Sequence, residues 1–215
     1  DPTWMREYEY ENYKNGNTID WFDYSTRTGI MQNYSASVSG ATEKMNYYLS
    51  GTYTDQEGVV KGDDYDRTVL TARIQTDITN WLQVGGQVNY AYNDYSGPSV
   101  YDLYQAIRLS PYGRAERADG GGVEKFPVNE GIYRINPLWN VESGTIDDHD
   151  TYSTVSMKGH ALVKCPWIEG LTYRLNGSYS IENIERDYFT HEGYYVKEGT
   201  GDDRYSESAV SDYLA

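Results

Sequence analysis

Few residues of this chain stand in a pattern that could carry out catalysis. The three histidines, His149, His160 and His191, lie far apart among predicted strands and loops. No Ser or Cys stands at the kind of sharp turn where the nucleophile of a catalytic triad is expected. Cys165 is the one cysteine, which excludes an internal disulfide and a cysteine-based metal cluster. The sequence therefore predicts no enzyme activity and no cofactor.

Clusters of acidic residues could offer oxygen ligands to a calcium ion. They lie at 63–66, 147–150 and 202–203. None of them has the spacing of an EF-hand loop. We therefore interpret them as solvated loop tips and predict no metal site.

The best candidates for ligand contact are aromatic and arginine side chains in the longest predicted loop. Flat rings stack on sugars or on peptide side chains, and a guanidinium bridges polar groups. The tyrosine-rich stretch 4–24 could also meet a ligand or a partner. The candidates in the long loop, which surround a predicted short helix and the turn at Pro111, are Tyr101, Arg108, Tyr112 and Arg114.

A second interpretation is that the predicted helix only packs its loop against the rest of the fold. We favour packing for Tyr104, and we leave both interpretations open for the two arginines and Tyr112. The residues that recur at helical spacing are Val100, Leu103, Tyr104 and Ile107.

The elements that position these loops are strands, because apolar and polar residues alternate with a period of two. From residue 82 the even positions read Leu, Val, Gly, Val, Tyr, Tyr, and the odd positions read Gln, Gly, Gln, Asn, Ala, Asn. The polar series is small or amide-bearing and rarely charged, which suits a wall between lipid and a lumen. The predicted strands are about 31–40, 45–54, 65–78, 81–93, 151–165 and 171–184.

Short and long connections alternate along the chain, as in an outer-membrane barrel. Short turns fall at 40–44, 79–80 and 166–170, and a capping-box pattern at 99–102 predicts the short helix in one long loop. The fold class is therefore all-β: an antiparallel up-and-down meander of about six strands, a segment of a large transmembrane β-barrel. The predicted long external loops are 1–30, 55–64, 94–150 and 185–215.

Aromatic residues form two levels along the predicted strands. Trp81 and Trp167 lie at short turns, and Tyr90, Tyr92 and Tyr179 lie toward the other end of the apolar faces. Ten residues of tilted strand span roughly 25 Å, so the two levels fit the two interfaces of a membrane. Aromatic enrichment common to all strands is the alternative. The net charge of −15 argues against a nucleic-acid partner.

Several segments resemble the barrel of the SusC/RagA family of TonB-dependent outer-membrane transporters. The resemblance covers about residues 20–185 and is most specific at about 55–61. The segments that carry it are EKMNYYLSG at 43–51, TDQEGVVKGDDY at 54–65, WLQVGG at 81–86, NPL at 136–138 and GLT at 170–172.

The resemblance implies a barrel of about 22 strands with a plug inside, in the outer membrane of a Gram-negative bacterium. It also implies a SusD-like lipoprotein lid, energy from TonB, and import of glycans or peptides. We expect residues 1–215 to be part of such a barrel domain, in contact with outer-membrane lipid.

Two other classes of protein remain open, a secreted soluble all-β carbohydrate-binding module and a purely structural outer-membrane protein. A soluble module must bury Leu82, Val84, Val88 and Tyr90 under a second sheet, whereas a barrel leaves them facing lipid.

Overall fold

The computed structural model describes residues 4–100, 103–129, 135–190 and 204–214, with backbone alone for Gln105 and for 204–214. Its strands form one antiparallel sheet in chain order, which confirms the predicted up-and-down meander. A seventh strand is added to the six that were predicted. The strands are β1 Met31–Ala41, β2 Met45–Glu57, β3 Asp64–Asp77, β4 Leu82–Asp94, β5 Ile146–Lys164, β6 Thr172–Thr190 and β7 Arg204–Leu214.

The prediction that 185–215 is an external loop is corrected by the structure. β6 continues to Thr190, and β7 pairs with it from the partners Phe189 and Arg204 onward. β5 likewise begins at Ile146, inside the predicted loop 94–150. These extensions carry charged residues on both faces, so apolar–polar alternation could not reveal them. Backbone pairing alone continues the strands there.

The two faces of the sheet are those expected from the alternation. Val88 of β4 lies opposite Ala72 and Met157, whereas the next residue toward the turn, Gln87, lies opposite Arg73 and Lys158. We call these the apolar face and the lumen face. Val88 is 44 % exposed, and the described strands form no second sheet over it. Within the described ranges the sheet therefore has no second layer of the kind that a soluble module requires.

Short turns lie at one end of the sheet, as predicted, because consecutive strands are antiparallel neighbours. In the β1–β2 turn the Thr42 hydroxyl accepts hydrogen bonds from the backbone of Lys44 (3.3 Å) and Met45 (3.1 Å). In the β3–β4 turn Thr79 does the same for Trp81 (3.3 Å) and Leu82 (3.0 Å). These side-chain bonds add to the backbone hydrogen bonds of both turns and help to fix the register of the hairpins.

The connections at the other end fold into a compact unit, which we call the outer cap. It comprises the described residues among 4–30, 58–63 and 95–145. None of its helices, nor any other in the described part of the chain, is long and apolar enough to cross a membrane. The helices are α1 Glu7–Asn15, α2 Trp21–Ser25, α3 Leu103–Ala106 and α4 Trp139–Glu142.

Candidate functional site

Trp21 forms the centre of the outer cap. Its side chain is only 3 % exposed and packs against Ala106, Leu109 and Val128. Its indole Nε1 donates to the carbonyl of Ser110 at 2.8 Å. An indole that is buried and also hydrogen-bonded fixes its neighbours in one arrangement. The cap is thus built on a hydrophobic core of its own.

The N-terminal helices bring the tyrosine-rich stretch onto the long loop. Asp20 caps α2 by accepting from the backbone nitrogens of Phe22 (3.0 Å) and Asp23 (3.1 Å). From α1, Asn12 donates to the carbonyl of Tyr112 at 3.0 Å, and the Tyr8 hydroxyl donates to the carbonyl of Phe126 at 3.3 Å. The predicted loop 1–30 is therefore a folded layer of the cap.

The NPL segment at 136–138 lies inside the cap and holds two of its turns together. Asn136 is fully buried. Its amide donates to the carbonyl of Ala115 at 2.9 Å, and its side-chain oxygen accepts from the backbone of Leu138 at 3.0 Å. Both polar ends of the side chain are thus satisfied, as burial requires.

The segment at 54–65 connects the sheet to the cap. Lys61 donates from Nζ to the carbonyl of Tyr24 at 2.8 Å, and its own carbonyl accepts from the backbone of Val100 at 3.3 Å. Gly62 has a φ of 81° and lies so close to Pro98 that a Cβ would collide with that residue's carbonyl oxygen. Only glycine fits both constraints.

Of the four predicted ligand-contact residues, Arg108 is exposed and Tyr101 lies outside the described residues. The guanidinium of Arg108 lies 5.3 Å from the ring centre of Tyr104. Tyr104 is 62 % exposed and Ile107 is 58 % exposed, so our preference for packing at Tyr104 is wrong. A helix lies where the spacing predicts one, but the buried residues are Ala106 at its end and Leu109 just after it.

Tyr112 and Arg114 are tied to α1. The ring of Tyr112 meets Tyr13 edge to face at 5.3 Å. Arg114 forms an ion pair with Glu124 at 2.7 Å, and its guanidinium lies 4.4 Å from the ring centre of Tyr8. Burial raises the pKa of Tyr8, against the opposing effect of the neighbouring Arg6. Through these contacts Tyr112 and Arg114 help to hold the cap together. Their contact with a ligand stays a prediction.

Sequence reasoning missed a groove of about 380 Å³ beside Arg114. Lys125 places its ammonium 5.1 Å from the ring centre of Trp139, and burial lowers the pKa of Lys125. Two donors in this region, Arg114 Nε and Trp139 Nε1, are buried without a hydrogen-bond partner among the described residues. Trp139 directly follows the NPL segment at 136–138. This adjacency is the sequence signal from which a role for Trp139 could have been predicted. The groove is lined by Arg114, Arg117, Ala118, Asp119, Val123, Glu124, Lys125 and Trp139.

The aromatic residues predicted for the membrane interfaces lie on the apolar face. Trp81 and Trp167 line one apolar pocket of about 420 Å³ at the short-turn end, and Trp167 is 88 % exposed. Tyr90 and Tyr92 lie toward the cap. Tyr179 pairs with Met157 and is thus level with Val88, one row nearer the turns than Tyr90. Their role at a membrane interface stays a prediction.

The acidic clusters make local contacts within the fold. Asp64 forms an ion pair with Arg27 and accepts from the backbone of Gly58 at 3.3 Å. The ring Nδ1 of His149 lies 3.2 Å from the hydroxyl of Ser96. Within the described ranges, no group of three His, Cys, Asp or Glu residues could hold a metal ion. Residues 202–203 and His191 lie outside those ranges.

This geometry defines a class of protein, a segment of a large β-barrel wall with a folded cap at its outer end. No protein-family model matches the chain. Three curated proteins of Formosa agariphila are similar to it. TonB-dependent receptor P3 is 27 % identical over 191 residues, covering 81 % of the chain and 18 % of the receptor. Receptor P26 is 33 % identical over 126 residues, 59 % of the chain and 12 % of the receptor. Receptor P39 is 22 % identical over 172 residues, 80 % of the chain and 16 % of the receptor.

The fold is similar to solved structures of RagAB. The structure of the RagAB peptide transporter superposes with a TM-score of 0.72 at 18 % identity, covering 93 % of this chain and 23 % of that one. The peptide importer in its closed-closed state gives a TM-score of 0.64 at 16 % identity, covering 92 % and 23 %. The predicted resemblance is confirmed: in sequence the chain is similar to TonB-dependent receptors, and in fold it matches a barrel segment of RagAB. It spans less than a fifth of the length of the curated relatives it matches.

Proposed function

We propose that the chain forms wall and outer capture surface of a nutrient importer in the outer membrane of a Gram-negative bacterium. The observation that carries the proposal is a single sheet whose apolar face is uncovered and whose outer end bears a folded cap. Val88 and Leu49, at 44 % and 48 % exposed, need an apolar environment that the described residues do not supply. Lipid supplies it in this proposal, because an uncovered apolar face over several strands is typical of the outer wall of a membrane barrel.

The cap is suited to holding a solute at the entrance. Trp139 offers an aromatic surface, while Lys125 and Arg117 offer donors in the groove beside it. An aromatic ring next to polar groups binds the apolar face of a sugar or a peptide side chain and orients it. In this function the solute is an oligosaccharide or a peptide. A SusD-like lid and TonB act through the full-length transporter.

The test places one charge on each face of the same strand. Val88→Arg puts a cation on the apolar face near mid-strand, and we expect a cost of about 2–4 kcal/mol near the bilayer midplane. Asn89→Arg is the matched control, since neighbouring residues on a strand face opposite sides. Both variants are made in the full-length transporter, and membrane assembly is measured by heat-modifiable gel mobility.

We expect Val88→Arg to reduce assembly and Asn89→Arg to assemble normally. The reverse result would invert the assignment of the two faces. Equal tolerance at both positions would contradict a membrane wall and return the chain to the soluble class.

A further inference from the structure

A carboxylate-free band crosses the lumen face of the sheet. Strand register arranges this face in rows, and three adjacent rows pass through Gln75, Arg73 and Thr71 of β3. None of the three rows contains Asp or Glu on β1 to β6, although the chain has 33 acidic residues and a net charge of −15. Acids appear on this face of β1 to β6 only outside the band: Asp77 lies toward the turns, and Glu182, Asp150 and Asp148 lie toward the cap.

Cations and polar groups concentrate within this band on β3 to β6. One row aligns Arg73, Gln87, Lys158 and Ser178, and the next aligns Gln75, Gly85, His160 and Asn176. Among the described residues neither Arg73 nor Lys158 has an ion-pair partner. Two uncompensated cations on one surface raise the local positive potential, which attracts anions.

The groups of the band are held in place by hydrogen bonds across the strands. Arg73 Nε donates to the side-chain oxygen of Gln87 at 3.1 Å, and Gln87 Nε2 donates to Asn89 at 2.9 Å. This series of hydrogen bonds orients the guanidinium of Arg73 through Nε and leaves its terminal NH₂ groups for another acceptor. An arginine oriented in this way can bind two oxygens of one carboxylate or sulfate group through two parallel hydrogen bonds.

Glycine shapes the floor of the band. His160 lies over Gly85, its partner on β4, where a Cβ would collide with the imidazole ring. The ring Nε2 is buried without a hydrogen-bond partner among the described residues. A buried polar atom without a partner is uncommon and calls for an explanation. Beside it opens a groove of about 640 Å³, with Arg73, Lys158 and His160 in its lining.

We propose that this groove is an anion-binding site that takes a carboxylate or sulfate group of a solute inside the lumen. Arg73 and Lys158 supply the charge, Asn176 supplies an amide, and an anionic oxygen gives the His160 ring the partner it lacks. The groove lies on the face opposite Val88, so a lipid headgroup cannot be its ligand. The inference needs the two-faced wall but not the identity of the imported nutrient.

The test measures direct binding to the full-length transporter purified in a zwitterionic detergent. Isothermal titration calorimetry compares hexagalacturonate, which carries a carboxylate on each sugar, with maltohexaose sulfate and with neutral maltohexaose. We expect the charged oligomers to bind and the neutral one not to bind. The charged oligomer that binds with the higher affinity identifies the anion that the site prefers. Binding of the charged oligomers should weaken as salt rises, because the cations are solvent-accessible.

Variants then locate the binding. Arg73→Gln and Lys158→Gln should each weaken binding about three- to tenfold, as expected for loss of one charge-assisted contact. Lys158→Arg keeps the charge and should keep the affinity. Lys44→Gln, in the β1–β2 turn, removes the same charge outside the groove and should leave binding unchanged. Circular dichroism of the strands shows that each variant is folded.

Equal binding of neutral maltohexaose, or equal weakening by Lys44→Gln, would overturn the proposal. So would unchanged binding in folded Arg73→Gln and Lys158→Gln variants. If a glutamine variant fails to fold, the Lys158→Arg variant decides: retained binding supports the site, and lost binding in a folded protein contradicts a role for charge. Membrane assembly of the Val88→Arg pair is independent of all these outcomes.

Discussion

The sheet and the outer cap distribute their hydrophobic residues in opposite ways. In the sheet, Leu49 and Val88 remain about half exposed, and no described element packs over them. In the cap, Trp21 and Leu138 are almost completely buried by residues from distant parts of the chain. The wall therefore depends on its surroundings for apolar contact, whereas the cap supplies its own.

The two regions also differ in what specifies their structure. Backbone ladders hold the strands, and each residue pairs with a neighbour whose position follows from the register. Side chains hold the cap, through single contacts such as the indole of Trp21 on Ser110 and the amide of Asn136 on Ala115. We expect a point substitution in the wall to disturb only its neighbours. A point substitution in the cap should destabilise the cap as a whole.

The largest effect that separates the regions should come from Trp21→Ala. Loss of a buried indole typically costs about 3–5 kcal/mol. We expect the cap to open while the wall still assembles, so limited proteolysis of membrane-assembled protein should cut the loops and heat-modifiable mobility should persist. Phe22→Ala, one residue on and half exposed, is the control. Loss of assembly in Trp21→Ala would show that the wall needs the cap.

A glycine pair gives the next largest contrast. A Cβ on Gly113 in the cap would lie 2.6 Å from the carbonyl oxygen of Pro127 and 2.9 Å from the Trp21 ring. A Cβ on Gly177 in β6 would meet nothing within 4 Å. We expect Gly113→Ala to cost about 1–3 kcal/mol through overpacking. Gly177→Ala should leave stability nearly unchanged.

The pair is compared by the protease concentration needed to cleave the cap in membrane-assembled protein. Equal resistance of the two variants would contradict the close packing described for the cap.

The smallest effect concerns one helix end. Asp20→Ala removes the side chain that accepts from two backbone nitrogens of α2, a loss of about 1 kcal/mol. Asp23→Ala removes the same charge from the first turn without removing the cap bonds. Hydrogen exchange of the α2 amides should rise in the first variant and hardly change in the second. Similar exchange in both would mean that Trp21 alone holds the helix.

The wall could be predicted from sequence because a period of two assigns each side chain to a face. The assignment succeeded from Leu82 to Tyr92, where the residues at even and at odd positions differ strongly in polarity. It failed in β7, because polar and apolar residues do not alternate along the sequence RYSESAVSDYL. The assignment also failed at the start of β5, because the acidic residues there are typical of a loop. Strand ends next to the cap lose the contrast in polarity on which the prediction rests.

The cap could not be predicted because its contacts join residues far apart in sequence. Tyr8 reaches Phe126 across 118 positions, and Trp21 reaches Ser110 across 89. Helical spacing correctly indicated a helix near Leu103 but not which side is buried, since Tyr104 and Ile107 face out. The groove beside Trp139 depends on the same long-range folding. Local patterns contain no information on such partners.

The length of β5 and β6 sets the height at which the cap stands. Nineteen residues at about 3.3 Å each, tilted near 45°, rise about 45 Å, which exceeds the apolar band by roughly 20 Å. In the proposed membrane wall, the ends of β5 and β6 that adjoin the cap therefore stand above the lipid boundary. In the proposed importer, substitutions on the outer surface of the cap would change which solutes are held at the entrance, while the wall keeps its depth in the bilayer.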